Sequence, residues 1–551
     1  MLARILHALW ARRWAPWLGQ SGNSRAGTDL IKVIRSKLKG HKPRLSGWNL
    51  GQGEEKGQGR QAQPRGLAAR YTSPYTCLMG ALAIDRHAVV DWYLRNRARS
   101  RAIFDLIDPA AYYSRPIALR NPIVFYEGHL PAFSIISFLR RGLGRPPVDA
   151  RLEKLFERGI DPDSAEAAVP RSGAGTTWPS RDEVLAFAER ADDAIVQALE
   201  EAEFLEDRPA MQRAQALYTA LEHEAMHQET LLYMWHRLPH EQKINKVLPP
   251  KGGSHEFHSL WLPPSGGRTS EAARIPAGIA TLGADRERIA FGWDNEFDEH
   301  RVEVPAFEID VYDVTNAQFL EFVEAGGYRT REFWSDENWQ WLQQEKLEHP
   351  TFWVPSTRVS TSARSGQAPS THASSGAGVD RLFWRGMFED LPLPPDWPVY
   401  VSQAEASAYA RWRNRRLPTE AEYHRAAFGT PAGVERSYPW GDAPPAPEHG
   451  NIDFERFDPV PVGSYPAGAS AWGVHDLVGN GWEWTSTVFA PFAGFLPMVS
   501  YPEYSADFFD GQHYVMKGGS PATAKELLRR SFRNWFRPNY PYVYAAFRTV
   551  E

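Results

Sequence analysis

Two histidines four residues apart are where this chain first shows chemistry. The stretch Leu221-Glu222-His223-Glu224-Ala225-Met226-His227 lies in a segment, about 208 to 238, with no proline or glycine between Ala210 and Leu238. Such a run predicts a helix, on which positions i and i+4 share a face, so both imidazoles can reach one metal ion. Neutral imidazole suits zinc, iron, nickel or copper, and a mononuclear catalytic centre needs about three protein ligands with a position left open.

The third ligand must come from elsewhere, and His129 is the candidate, in Phe125-Tyr126-Glu127-Gly128-His129-Leu130-Pro131-Ala132-Phe133. Three facial histidines leave up to three positions on an octahedral metal for dioxygen and a substrate heteroatom, which favours non-haem iron over structural zinc. Glu127 and Glu224 are candidates to orient the imidazoles, since a ligating histidine usually donates its other N–H; a solvent-facing role is the alternative. Two other readings stand beside the iron centre. His223-Glu224-Ala225-Met226-His227 also spells the H-E-x-x-H signature of a metallohydrolase, with the glutamate as general base. Its extended form needs glycine and histidine where the chain has Thr230 and Tyr233. The other is a ligand-binding module without chemistry, in which the histidines are ordinary buried residues.

A metal held this way needs helices to carry it. Apolar spacing over 74–107 (Leu78, Leu82, Val89, Trp92, Ile103, Leu106) predicts one long or broken helix. A second is expected to begin near Gly128-His129 and run to about Arg141. The third opens with the capping pattern Ser180-Arg181-Asp182-Glu183, and the fourth carries His223 and His227. Four helices with inward ligands make a bundle with a metal site in its core. After Pro239 the composition changes, and turn signals such as Trp440-Gly441-Asp442 and Gly479-Asn480-Gly481 predict short strands and long loops.

The 551 residues allow two or more domains, and 42% hydrophobic with 23% charged residues is ordinary for a soluble globular chain. The first 70 residues carry 14 Lys and Arg against three acids, within a chain of net charge −5. They read as a basic, disordered extension with no nucleic-acid role expected, and no stretch suits a membrane span. A single cysteine, Cys77, excludes internal disulfides and fits a cytoplasmic location. The expected organisation is an extension over 1–70, a helical bundle over 71–248, a linker over 249–273, and a second domain over 274–551 with a disordered insert at 356–379.

From about Ile275 to Arg548 the chain resembles the formylglycine-generating-enzyme, or sulfatase-modifying-factor, fold. The motifs are Val314-Thr315-Asn316, Arg416-Leu417-Pro418-Thr419-Glu420-Ala421-Glu422, Tyr438-Pro439-Trp440-Gly441-Asp442, Gly479-Asn480-Gly481-Trp482-Glu483-Trp484 and Gly518-Gly519-Ser520. That family's own activity depends on cysteines, and Cys77 lies outside the domain. Joined to a bundle with a His and an H-x-x-x-H pair, the whole resembles the ergothioneine-pathway sulfoxide synthases and the related selenoneine synthases. The resemblance implies an α+β fold: an N-terminal DinB-like four-helix bundle and a C-terminal formylglycine-generating-enzyme (C-type-lectin-like) domain. It also implies Fe(II) on His129, His223 and His227, and dioxygen-driven attachment of sulfur or selenium to the imidazole C2 of hercynine.

Departures from the pattern bear on the donor. The resemblance implies a tyrosine after the W-E-W-T motif as proton source, whereas Trp484-Thr485 is followed by Phe489 and Phe492, and a phenyl ring has no proton to give. The acid and arginine that hold γ-glutamylcysteine align with Phe536 and Tyr540. A paired-tyrosine arrangement for cysteine aligns with Phe156-Glu157-Arg158-Gly159, and Met226 stands where glutamine is common. These losses leave cysteine or a selenosugar as the thiol or selenium donor, with a lean to the selenoneine branch. For hercynine's quaternary ammonium an aromatic face is the natural partner, with Trp535 as a candidate wall. Asn534 is a candidate for a carboxylate or ring nitrogen, or a cap for its own backbone.

Overall fold

A computed structural model describes residues 84–157, 178–201, 207–244, 271–356 and 382–551. The basic extension, Cys77, Arg158-Gly159, nearly all of the 249–273 linker and nearly all of the 356–379 insert lie outside the described residues.

The N-terminal part is helical. Helix α1 spans Arg86–Phe104, with Asp85 as its cap: the carboxylate accepts from Ala88 N at 3.2 Å. Helix α2 spans Ile123–Ser134, a short α3 Ala150–Leu155, α4 Arg181–Glu201 and α5 Gln215–Arg237. The sequence placed the start of α2 too late. The helix begins directly after Pro122, whose fixed φ suits a helix entrance, and so puts His129 in mid-helix. Pro131 then withdraws one N–H from the ladder, and the helix continues as a π-helical segment, Ile135–Gly142. Helix α5 starts later than the sequence suggests, because Arg213 and Ala214 take positive φ and break the run; Pro239 ends it.

The C-terminal part is built from short strands and long loops. Strand β1 (Ala272–Ile275) pairs with β4 (Phe307–Asp310), and β2 (Gly278–Leu282) with β3 (His300–Val304), both antiparallel. Helices α6 (Asn316–Glu324), α7 (Asp336–Glu345), α8 (Gln403–Trp412) and α9 (Glu420–Phe428) are interspersed with a three-stranded sheet of β5 (Trp353–Pro355), β6 (Leu382–Arg385) and β7 (Asp390–Pro392). Capping boxes begin α6, α8 and α9. The main sheet is ordered β10-β9-β8-β11, from β8 (Gly481–Val488), β9 (Tyr514–Gly519), β10 (Asn534–Phe536) and β11 (Ala545–Ala546). The mixture is an α+β fold, as expected.

One apolar core runs through both parts, from Trp92, Phe125 and Trp235 to Trp384, Tyr400 and Tyr544. Buried acids on α5 reinforce the joint. Glu222 and Glu229 are seven residues apart, two turns along one face. Glu222 receives Arg529 Nη1 at 2.8 Å and Trp293 Nε1 at 2.9 Å; Glu229 receives Trp482 Nε1 at 2.7 Å, Ser520 Oγ at 2.6 Å and Thr523 Oγ1 at 2.9 Å. The helix that carries two of the candidate ligands is therefore held by the second domain on the neighbouring face.

Candidate metal centre

The three histidines meet. His129 of α2 and His223 and His227 of α5 present ring nitrogens that all lie within 4.8 Å of one another. Nε2 of His223 and Nε2 of His227 are 3.2 Å apart, one turn of helix bringing them together. His129 and His223 are 1% and 3% exposed. Burial pushes the His129 imidazole down to about 4, against the pull of the Phe156 carbonyl; burial and the neighbouring imidazoles also push His223 down. His227 falls through burial, His129 and the positive charge of Arg120. All three are neutral at pH 7, the form that offers a lone pair.

The donors suit a metal on further grounds. Nδ1 of His129 donates to the Phe156 carbonyl at 2.8 Å, which leaves Nε2 as the lone-pair nitrogen, and that buried atom has no protein partner. Nδ1 of both His223 and His227 is likewise buried without one. Leaving a buried polar atom unmet costs about 1–3 kcal/mol, a cost that a cation bound to Nε2 of His129 would offset at that atom. An all-imidazole set accepts iron or zinc alike.

The orienting carbonyl depends on a close approach that only glycine permits. Phe156 packs over Gly128, where an added Cβ would lie 2.4 Å from its ring. Gly128→Ala is expected to cost about 1–3 kcal/mol through overpacking and, by displacing the Phe156 carbonyl, to weaken metal binding about 10-fold or more. Thermal unfolding and an anaerobic Fe(II) titration measure the two effects.

The glutamates beside the ligands do not orient them. Glu127 pairs with Arg181 at 2.9 Å, and Glu224 is buried against Arg97 Nη1 at 2.9 Å and Ser100 Oγ at 2.6 Å. Neither faces solvent. The geometry follows from the helix itself: Glu224 is one residue from His223 and so turned about 100° away, toward α1. This removes the general base that the H-E-x-x-H reading requires.

Aromatic rings wall the centre. Phe133 stacks on His223 with centroids 3.4 Å apart, and Tyr126 lies 5.7 Å from His227. From the loop between β8 and β9 come Tyr501, 5.1 Å from Phe133, and Tyr504, whose hydroxyl donates to the Met226 sulfur at 3.4 Å. Sequence reasoning missed both tyrosines, because it looked for the phenol next to the tryptophan motif, whereas a long loop returns to the centre much later. Phe489 is buried and stacks on Trp535 at 4.2 Å, while Phe492 covers Arg533, 4.1 Å from ring centroid to guanidinium carbon. Trp535 also meets Tyr504 at 5.2 Å. Asn534 turns to its own backbone, its side-chain oxygen accepting from Trp535 N at 2.9 Å. Phe536 and Tyr540 stack on each other at 5.1 Å.

Comparison with known proteins agrees with this layout. Residues 93–231 match the DinB superfamily, and residues 262–551 match the sulfatase-modifying factor enzyme 1-like domain. The chain is 34% identical over 464 residues to a hercynine oxygenase of Mycolicibacterium thermoresistibile, covering 82% of this chain and 92% of that one. It is 40% identical over 269 residues to a hercynine oxygenase of Mycobacterium tuberculosis, covering 48% and 57%. Ergothioneine biosynthesis protein 1 of Neurospora crassa is 29% identical over 497 residues, 79% of this chain and 54% of that protein. With both parts matched in order and the first of these relatives spanned almost end to end, the chain belongs to the hercynine oxygenase family.

Proposed function

We propose that this protein is an oxygen-dependent non-haem Fe(II) enzyme that joins sulfur or selenium to the imidazole C2 of hercynine. The observation that carries the reading is the convergence of His129, His223 and His227, neutral and from two helices, beneath rings supplied by both parts of the chain. Iron bound there would supply the electrons that activate dioxygen and a coordination position for the thiolate or selenolate donor.

The chain's own part is to bind, align and exclude water. Three imidazole ligands would leave coordination positions on the metal for the reactants. Trp535, Tyr504 and Tyr501 offer ring faces that suit a quaternary ammonium, which has no proton to donate. Tyr504 Oη, close to Met226, and the Tyr501 phenol are groups with a proton to give, a role the rings of Phe489 and Phe492 cannot fill. Holding substrate, donor and oxygen in line is where most of the rate gain arises. Among the described residues no helix is long and apolar enough to cross a membrane; a cytoplasmic setting suits the lone Cys77.

Phe536 and Tyr540 replace the ionic pair that the resemblance assigns to a γ-glutamyl group, with Arg120, which donates to the Tyr540 hydroxyl, as the cation beside them; loss of that pair favours cysteine or a selenosugar as donor. The test is aerobic incubation of Fe(II)-loaded protein with hercynine plus cysteine, γ-glutamylcysteine or a selenosugar, followed by mass spectrometry. A hercynine adduct with cysteine or the selenosugar, absent without oxygen, is the expected result. Turnover by zinc-loaded protein without oxygen, or no carbon–chalcogen product from any donor, would overturn it.

A further inference from the structure

The aromatic wall of the site is backed by a buried ion pair. Arg533, which leads into β10, is 2% exposed, and Glu420, the first residue of α9, is 3% exposed. Arg533 Nε donates to Glu420 Oε1 at 3.1 Å, and Nη1 donates to the carbonyls of Asn295 at 3.2 Å and Ala490 at 3.1 Å. Burial works against the Glu420 charge, but Arg533 and Lys517 hold its carboxyl below the usual value, so the pair is ionic. Three segments far apart in the chain thus fix one guanidinium.

Phe489 and Phe492 cover it, their ring centroids 5.0 and 4.1 Å from its central carbon. Within that range a cation is attracted to a ring face, more strongly where water is excluded. Phe489, itself fully buried, lies parallel to the Trp535 indole, with 6° between the planes and 4.2 Å between centroids. Of the other rings that meet Trp535 among the described residues, Tyr504 stands at 79° and Phe508 at 54°. Phe489 is therefore the flat surface against which the indole rests. Its position is the one where a proton-giving tyrosine was expected. A phenol buried there would need a partner for its hydroxyl, whereas a phenyl ring needs none.

We propose that Arg533 and Phe489 are positioning residues: the guanidinium holds the phenyl ring, and that ring sets the plane in which Trp535 meets a trimethylammonium group. The inference deepens the functional reading above and rests on it, since hercynine is the reactant that carries such a group. A ring attracts a quaternary ammonium through its face and not its edge, so a tilt of the indole weakens the contact. Histidine, whose ammonium can donate hydrogen bonds, depends less on that face.

The experiment is calorimetric titration of anaerobic Fe(II)-loaded protein, wild type and Phe489→Leu, with hercynine and, by competition, with histidine. Hercynine should bind Phe489→Leu about 3- to 10-fold more weakly, histidine should change by less than about twofold, and iron content should be unchanged. Arg533→Lys keeps the charge opposite Glu420 but gives up the planar fork, and a smaller loss confined to hercynine is expected. Should Phe489→Leu fail to fold, Phe489→Met fills the space with a flexible apolar chain, and the same hercynine-specific loss is expected. Equal losses for the two ligands, or an unchanged hercynine affinity in the Phe489 and Arg533 variants, would overturn the proposal. Wild-type protein that does not bind hercynine would instead overturn the functional reading, and this inference with it.

Discussion

Replacing His129, His223 or His227 by alanine, one at a time, is expected to abolish stoichiometric iron binding and every oxygen-dependent activity of the protein. Loss of a residue that merely orients a ligand costs about 10- to 100-fold in metal affinity; loss of the ligand itself should exceed that. Elemental analysis after anaerobic Fe(II) loading reads the outcome directly. A second readout is stability. A ligand at about 100 times its Kd raises the stability of the folded state by roughly 2.7 kcal/mol, so iron should raise the melting temperature of the wild type and leave each variant unmoved. The metal-free variants should stay folded, because each loses a single protein hydrogen bond, that of His129 Nδ1 to the Phe156 carbonyl or that between His223 and His227. Unchanged iron content in any of the three would remove that residue from the centre.

The second large effect lies where α5 meets the second domain. Arg529 lies between two fully buried carboxylates: it reaches Glu222 with Nη1 at 2.8 Å and Nη2 at 3.0 Å, and Glu296 with Nε at 2.8 Å. Arg529→Gln should destabilise the protein by about 3–5 kcal/mol, the usual cost of stranding a buried charge. The sign of the pH dependence is fixed by the same argument. Stranded, both carboxyls titrate above their unfolded value, so the penalty is present at neutral pH and disappears as pH falls below that value and both become neutral. Adding Glu222→Gln and Glu296→Gln should recover most of the loss. Denaturant unfolding at pH 7 and near pH 4 compares the variants, and a deficit that grows on acidification would contradict the assignment. The variant should also loosen the centre, since Glu222 precedes His223 and its grip sets the rotation of α5.

Much of this was legible in the chain. The i, i+4 spacing of His223 and His227 needs nothing but a helix to put both rings on one face, and the segment has no residue that breaks one before Pro239. The order of turn motifs likewise marks the second domain, because glycine and proline restrict the backbone locally. Helix limits were less legible: the positive φ of Arg213 and Ala214 and the entrance at Pro122 depend on what the chain packs against. The partners of Glu127 and Glu224 were not legible at all. A glutamate beside a ligand looks the same in sequence whether it faces an imidazole or an arginine from another helix.

What the sequence alone determined is the kind of chemistry: three histidines, a bundle to carry them and an aromatic-rich second domain, since residue type and short-range spacing decide what a side chain can do. Only the tertiary structure decided which groups surround that chemistry. It brought Tyr501 and Tyr504 to Phe133 and Met226 across more than 270 residues of chain, turned Asn534 to its own backbone, and clamped Arg120 between Tyr233 and Tyr540. The physical reason is that such contacts join residues far apart in the chain, and it is the burial of a shared core that sets their distances.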